Sequence, residues 1–320
     1  MSVFESAAPL PELQGKLLNG NGKPDPDKHL LYIENLVKKF PGKDGVKTVL
    51  DNVDLQVSAG EFIAVVGPSG CGKSTLLKLI LGSEEPTAGR LLLNGEQIGF
   101  PDPTRGIVDQ AYALFPFLTV LENVLLPYKL KGKWRGHQRE VIERAEHFLE
   151  TAQLIEHKDK YPNQLSGGQQ QRAAVMQGLI NDPQILLMDE PFGALDSGTR
   201  ARMQAFLLKK WEETGKTIFF VTHDLEEAVF LGTRVVALSQ YYTDGRGDIE
   251  RGSRIVCDRI VGQIGAAAST KSKLDPKFTE TIEEIRTFVT KPDHSWHLEQ
   301  FNLSHPDSFH TVSERELKNS

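Results

Sequence analysis

Four short apolar runs stand out along the chain: "EFIAVVG" from Glu61, "QILLMDE" from Gln184, "TIFFVTH" from Thr217 and "RVVALSQ" from Arg234. Each is nearly continuous in apolar residues and bounded by polar or turn residues, which predicts strands buried on both faces. Helical patterns separate them. In "HQREVIERAEHFLETAQLI", Val141, Ala145, Phe148, Leu149 and Ala152 fall on one stripe, as an amphipathic helix requires. Strands alternating with helices predict an α/β fold with a mainly parallel core sheet. Nearer the N-terminus, "LLYIENL" around Leu31 and "LDNVDLQV" from Leu50 predict further short strands, the second with alternating character. No buried-strand signal occurs from Asn123 to about Leu165, so residues 123–165 are expected to form a helical insert in one large domain over 30–265.

The flanks read differently. Residues 1–29 are rich in Pro, Gly, Asn and Lys without a period and are expected to be a flexible arm. Residues 266–320 shift to Ser, Lys, His and Asp and are expected to be an extension with one helix near 276–290. Asp275 is its predicted N-cap and Pro276 its first residue, and Phe278, Ile282, Ile285 and Val289 share one face.

Composition narrows the function classes. With a net charge of −6 over 320 residues, no sequence-wide basic surface is expected, and no nucleic-acid partner. No apolar run approaches the roughly 18 residues that cross a bilayer. The N-terminus lacks a charged start followed by an apolar core, so no signal peptide is expected. Cys71 and Cys257 are the only cysteines, which points away from a disulfide framework and toward a reducing, cytoplasmic compartment.

The chemistry begins at Gly67-Pro68-Ser69-Gly70-Cys71-Gly72-Lys73-Ser74-Thr75, directly after the predicted strand "FIAVV" and before the helical "STLLKLIL". That is the P-loop pattern in its required strand-to-helix context. The glycines let successive backbone N–H groups converge on phosphate oxygens, and the helix N-terminus adds partial positive charge. Lys73 is expected to reach the β- and γ-phosphates of ATP, and the Ser74 hydroxyl to meet Mg²⁺. Cys71 is expected to be a packed, inert thiol. A second carboxylate site ends "ILLMDEP". There Asp189 suits an acid that holds Mg²⁺ through water, and Glu190 suits a general base that polarises an attacking water.

A second apparent phosphate cradle follows, Ser166-Gly167-Gly168-Gln169 in "QLSGGQQQRAAV", at the start of a predicted helix. At these residues the chain resembles the ATPase subunit of an ABC transporter, and the likeness runs from about Leu31 to Gly265. "LSGGQ" matches that family's signature. The resemblance implies a P-loop ATPase domain with an antiparallel β subdomain beside the core sheet, and it implies further roles. Gln110 matches the Q-loop glutamine that contacts Mg²⁺ and water and senses the membrane partner. Ala194-Leu195-Asp196 matches the D-loop, His223 the switch histidine at the γ-phosphate, and Phe40 the aromatic that stacks on adenine. Two positions depart from the family pattern, Asp109 before the Q-loop glutamine and Gln177 after the signature.

The resemblance also accounts for two cradles in one chain. In the family, two ATPase subunits dock head to tail, and each signature closes on the ATP held by the other. The implied partners are a second ATPase subunit (a homodimer, or a heterodimer with a paralogue), two integral membrane permease subunits and, indirectly, a solute-binding protein. The implied place is the cytoplasmic face of the inner membrane. The stretch "LFPFLTVLENVLLP" with "MDEPFGALDSGTR" looks most like the ATPases of nitrate, sulfonate and taurine importers. Sulfate, polyamine and sugar importers are the alternative, and after them a non-transport ABC ATPase. In that loop Tyr112, Phe115 and Phe117 are expected to form a groove for a helix of the membrane subunit. Because every nucleotide motif lies upstream of Gly265, a chain ending there is expected to remain a folded ATPase.

Overall fold

The computed structural model describes residues 29–42, 45–109, 114–130, 136–180, 182–243, 252–261, 276–290 and 296–297. The chain forms two compact units: one takes residues up to Phe100 and from Thr222 on, the other Pro101–Val221.

The first unit opens with β1 (Leu31–Gly42) and β2 (Gly45–Val57), which pair antiparallel, Leu31 opposite Val57. Then come β3 (Phe62–Val66), α1 (Lys73–Leu81), β4 (Ala88–Leu93) and β5 (Glu96–Gln97). The antiparallel sheet runs β2-β1-β4-β5. β3 is buried at all five positions, as a strand covered on both faces must be.

The second unit holds β6 (Arg105–Val108), α2 (Val120–Leu130), α3 (Gln138–Thr151), α4 (Gly167–Ile180), β7 (Ile185–Asp189), α5 (Ser197–Thr214) and β8 (Thr217–Val221). Strands β6, β7 and β8 pair in parallel, with Ile185 between Arg105 and Thr217. On α3 the apolar stripe faces inward: Val141, Ala145, Phe148 and Leu149 are buried. Phe148 meets Phe206 of α5 edge to face, with ring centroids 5.7 Å apart.

The chain then returns to the first unit with α6 (Leu225–Leu231), β9 (Arg234–Ser239), β10 (Tyr242–Thr243), β11 (Arg254–Ile260), α7 (Pro276–Thr290) and β12 (Trp296–His297). β9 lies parallel to β3 and antiparallel to β11. Arg234 is buried at the start of β9. It donates to both carboxylate oxygens of Asp258 at 2.6 Å and to Glu61 at 3.0 Å.

α7 changes the expected role of the C-terminal region. Its face of Phe278, Ile282, Ile285 and Val289 is buried in one cluster with Ala64 and Val66 of β3, Ala228 and Val229 of α6, and Val235 and Ala237 of β9. The helix therefore covers the sheet behind the strand that leads into the P-loop, and Arg259 of β11 pairs with its Glu284. Ending the chain near Gly265 would uncover that apolar face, so the truncated protein is expected to be insoluble or strongly destabilised. The full-length substitution Ile285→Ala is expected to cost about 2–5 kcal/mol, read as a lowered urea midpoint. A midpoint equal to the wild type would show that α7 adds nothing to the core.

Candidate functional site

In the first unit the P-loop is shaped by what cannot be there. Gly67 has φ 152°, and a Cβ on it would lie 2.2 Å from the carbonyl oxygen of Leu238 and 2.7 Å from Cys71 Sγ. Gly72, the N-cap of α1 at φ 95°, would drive a Cβ to 2.8 Å from Leu50 Cδ2. Only glycine fits both places. The loop folds around its own cation: Lys73 is 8% exposed and donates from Nζ to the carbonyls of Gly67 at 2.8 Å and Pro68 at 3.0 Å. Ser69, Gly70 and Ser74 are on the rim, with Ser74 exposed at the start of the helix and Thr75 half-buried behind it. No acidic residue occupies the first turn of α1, so the N-terminal partial charge is left for an anion. Cys71 is buried, and burial pushes its thiol up against the opposing pull of Lys73. A thiol protonated at neutral pH is a poor nucleophile.

The same unit places His223 one residue after Thr222, whose N–H donates to the Val65 carbonyl of β3 at 3.2 Å. Thr222 Oγ1 donates to Glu227 at 2.6 Å, and Asp224 caps α6 by accepting from the N–H groups of Glu226 and Glu227. His223 is exposed between these two anchors, directly after the residue tied to the strand that feeds the P-loop. Phe40 lies half-buried on β1 opposite Lys47, so it is not a core aromatic. Lys38 Nζ stands 4.7 Å from its ring centroid and is itself held by Glu84 and the Glu85 carbonyl at 2.8 Å.

In the second unit Asp189 ends β7 at 8% exposure, and Glu190 follows, half-buried. Glu190 adopts φ 48°, a left-handed geometry that costs a non-glycine residue about 1–3 kcal/mol and clusters at functional sites. Its N–H donates to the Val221 carbonyl at 3.0 Å, and its own carbonyl accepts from Gly193 at 3.2 Å. Asp196 caps α5 by accepting from the Thr199 N–H at 2.9 Å, and those bonds hold its carboxyl below the usual range. The signature opens α4 through a capping box: the Ser166 N–H donates to Gln169 Oε1 at 2.8 Å, and the Gln169 N–H donates to Ser166 Oγ at 3.3 Å. Ser166 and Gly167 are exposed, and a Cβ on Gly167 would meet nothing within 4 Å. On Gly168 it would lie 3.5 Å from Leu195 Cδ2, which sets the D-loop against the signature.

Gln110 lies outside the described residues, as do Tyr112 and Asp275. Asp109 and Gln177 are both half-buried. Phe115 and Phe117 project from this loop, 43% and 70% exposed, their ring centroids 5.6 Å apart. Asn123, fully buried, pins this loop in a way its sequence position did not reveal. Its Nδ2 donates to the carbonyls of Phe115, Leu118 and Thr119, and its Oδ1 accepts from the Phe115 N–H at 2.7 Å. Thr119 and Glu122 close the start of α2 with a reciprocal cap, and "TVLEN" carries that signal in its Thr-x-x-Glu spacing. Among the described residues no helix is long and apolar enough to cross a membrane.

Known proteins resemble the chain. Residues 50–193 match the family described as ABC transporter. A taurine import ATP-binding protein of Roseobacter denitrificans is 46% identical over 211 residues, 65% of this chain and 77% of that one. A nitrate import ATP-binding protein of Synechocystis is 44% identical over 261 residues, 81% of this chain and 94% of that one. Among solved structures, a dimeric ATP-binding cassette in a post-hydrolysis state, bound to ADP and Pi, superposes with a TM-score of 0.63 at 34% identity, covering 73% of this chain and all of that one. With its P-loop, signature and strand-borne carboxylates in this fold, the chain belongs to the ATP-binding, ATP-hydrolysing subunits of ABC transporters.

Proposed function

We propose that this subunit powers import of a small anion (nitrate, a sulfonate or taurine) through two separate membrane permease subunits supplied by a solute-binding protein. The names of the relatives from Roseobacter and Synechocystis support that solute group. The observation that carries the ATPase chemistry is Lys73, folded over the Gly67 and Pro68 carbonyls at the N-terminus of α1. Phosphate oxygens would replace those carbonyls as acceptors, gaining charge-assisted hydrogen bonds. Residues Gly67 to Thr75 hold the phosphates, Phe40 stacks on adenine, and His223 meets the γ-phosphate. Glu190 takes a proton from water as its oxygen attacks the γ-phosphorus, and the bond to the β-bridging oxygen breaks, releasing ADP and phosphate.

Mg²⁺ suits the residues present: the Ser74 hydroxyl is exposed at a helix start and the Asp189 carboxylate closes a buried strand. Ser74, Asp189 and Gln110 would hold the ion, which neutralises charge on the phosphate oxygens. Two subunits associate head to tail, so that Ser166, Gly167, Gly168, Gln169 and Asp196 face the ATP of the partner. The second copy is identical or a paralogue. The assembly sits on the cytoplasmic face of the membrane, where Phe115 and Phe117 receive a short helix of the permease.

Transport with the cognate permeases tests this. Uptake of nitrate, taurine, an alkanesulfonate and sulfate should be compared in cells carrying wild-type or Phe117→Asp protein. Wild type is expected to support uptake of one of the first three. Phe117→Asp is expected to abolish uptake while ATP binding by the soluble subunit is unchanged. Uptake of sulfate alone would overturn the solute group, and uptake undiminished by Phe117→Asp would move the docking groove elsewhere.

A further inference from the structure

Gln171 lies one turn into α4 and is 1% exposed. Its Nε2 donates to the backbone carbonyl of Glu190 at 3.2 Å, the same oxygen that accepts from Gly193. The Glu190 N–H is fixed on Val221, so both ends of this left-handed residue are held, one of them by the signature helix. Meanwhile Gln171 Oε1 is buried and, among the described residues, has no hydrogen-bond partner. Turning the amide over would satisfy nothing, because it would set oxygen against the Glu190 carbonyl oxygen. A buried orphan acceptor is a cost that Met or Leu, filling similar space, would avoid. The glutamine therefore gives α4 something packing does not require, namely a donor aimed at Glu190.

We propose that Gln171 is a positioning residue that ties the signature helix to the backbone of Glu190 in the same subunit. Resting on the head-to-tail reading above, closure of Ser166 to Gly168 on one nucleotide then adjusts the base that acts on the other. The two sites of a dimer are thereby coupled through a single side chain in each subunit. Coupling in this form needs only that α4 move slightly as a rigid rod. Its N-terminal cap senses the nucleotide, and Gln171, on the same rod, carries the shift to the Glu190 carbonyl.

Full-length Gln171→Met, which keeps volume and removes both polar atoms, separates positioning from packing. Steady-state ATPase is measured together with the ATP concentration dependence and the melting temperature. The expected result is a kcat about 10- to 100-fold lower, the size of effect that follows misplacement of a catalytic group. KM stays at the wild-type value, any cooperativity in ATP is lost, and the melting temperature is not reduced. Gln171→Glu, nearly isosteric but an acceptor facing a carbonyl, is expected to lose kcat likewise. In a Glu190→Gln background, Gln171→Met should still form the ATP-trapped dimer. Wild-type kcat in both variants would overturn the proposal, and so would a kcat loss matched by a lowered melting temperature or a lost ATP-trapped dimer. If Glu190→Gln alone traps no dimer, the head-to-tail reading fails, while the kcat and KM of Gln171→Met still decide whether Gln171 positions Glu190.

Discussion

Glu190→Gln is expected to bind ATP with wild-type affinity and hydrolyse it about 10²–10⁴-fold more slowly, the usual worth of a positioned acid or base. The substitution preserves size and leaves the backbone bonds to Val221, Gly193 and Gln171 in place. What it removes is an oxygen basic enough to take the proton of the attacking water. Lys73→Ala makes the contrast, because it deletes the cation held 2.8 Å from the Gly67 carbonyl and is expected to lose most ATP affinity. With hydrolysis blocked and binding intact, Glu190→Gln should also shift to a dimer on a sizing column when ATP is present, since a ligand held between subunits stabilises their association. Turnover at the wild-type rate in Glu190→Gln would remove Glu190 from the role of base.

The legible parts of this protein were those whose chemistry is local. The P-loop reads directly because a glycine is required wherever a Cβ would strike Leu238 or Leu50, and those requirements appear as letters in one nonapeptide. The apolar face of α7 reads from its period. Its destination does not, because nothing within the helix says that Ala64 and Val235 will lie beneath it, and it looked like an appendage for that reason. Strand β11 escaped notice because "RIVCDRI" carries three charges. All three are reconciled by distant partners, Asp258 by Arg234, Arg254 by the Tyr242 ring at 5.2 Å and by Asp51, and Arg259 by Glu284 of α7. Short β6, four residues long, lacks the length that marks a strand.

The missed functional residues follow the same division. Gln171 and Glu190 are 19 positions apart, and no spacing rule joins a helix amide to a strand-end carbonyl. Asn123 reads as one more polar residue at a helix start until its four bonds to residues 115–119 appear. Thr222 was overshadowed by its neighbour His223, although it is Thr222 that carries the bonds to Val65 and Glu227. In each case the residue that attracts a functional reading is legible in the sequence, and the residue that holds it in place is not.

Mixing two inactive variants is expected to restore ATP occlusion. One batch carries Lys73→Ala and the other Ser166→Arg, which places a long cation where the exposed signature offers Ser166 and an open Gly167. The arginine also removes the Ser166 cap on Gln169, a loss of about 1 kcal/mol that leaves the rest of α4 formed. Alone, each variant makes a dimer in which every composite site contains one damaged half. In the heterodimer the damaged P-loop and the damaged signature meet in one site, and the other site is whole. If instead each signature served its own P-loop, neither chain would hold both intact parts and mixing would rescue nothing. Occlusion of labelled ATP is the readout, because hydrolysis can require both sites even when one is correctly built. High protein concentration is needed, since subunits without their permeases have only the ligand-completed interface to hold them together. Heterodimers shown to form, by two distinguishable tags, yet occluding no ATP would place the signature in cis and remove the head-to-tail reading.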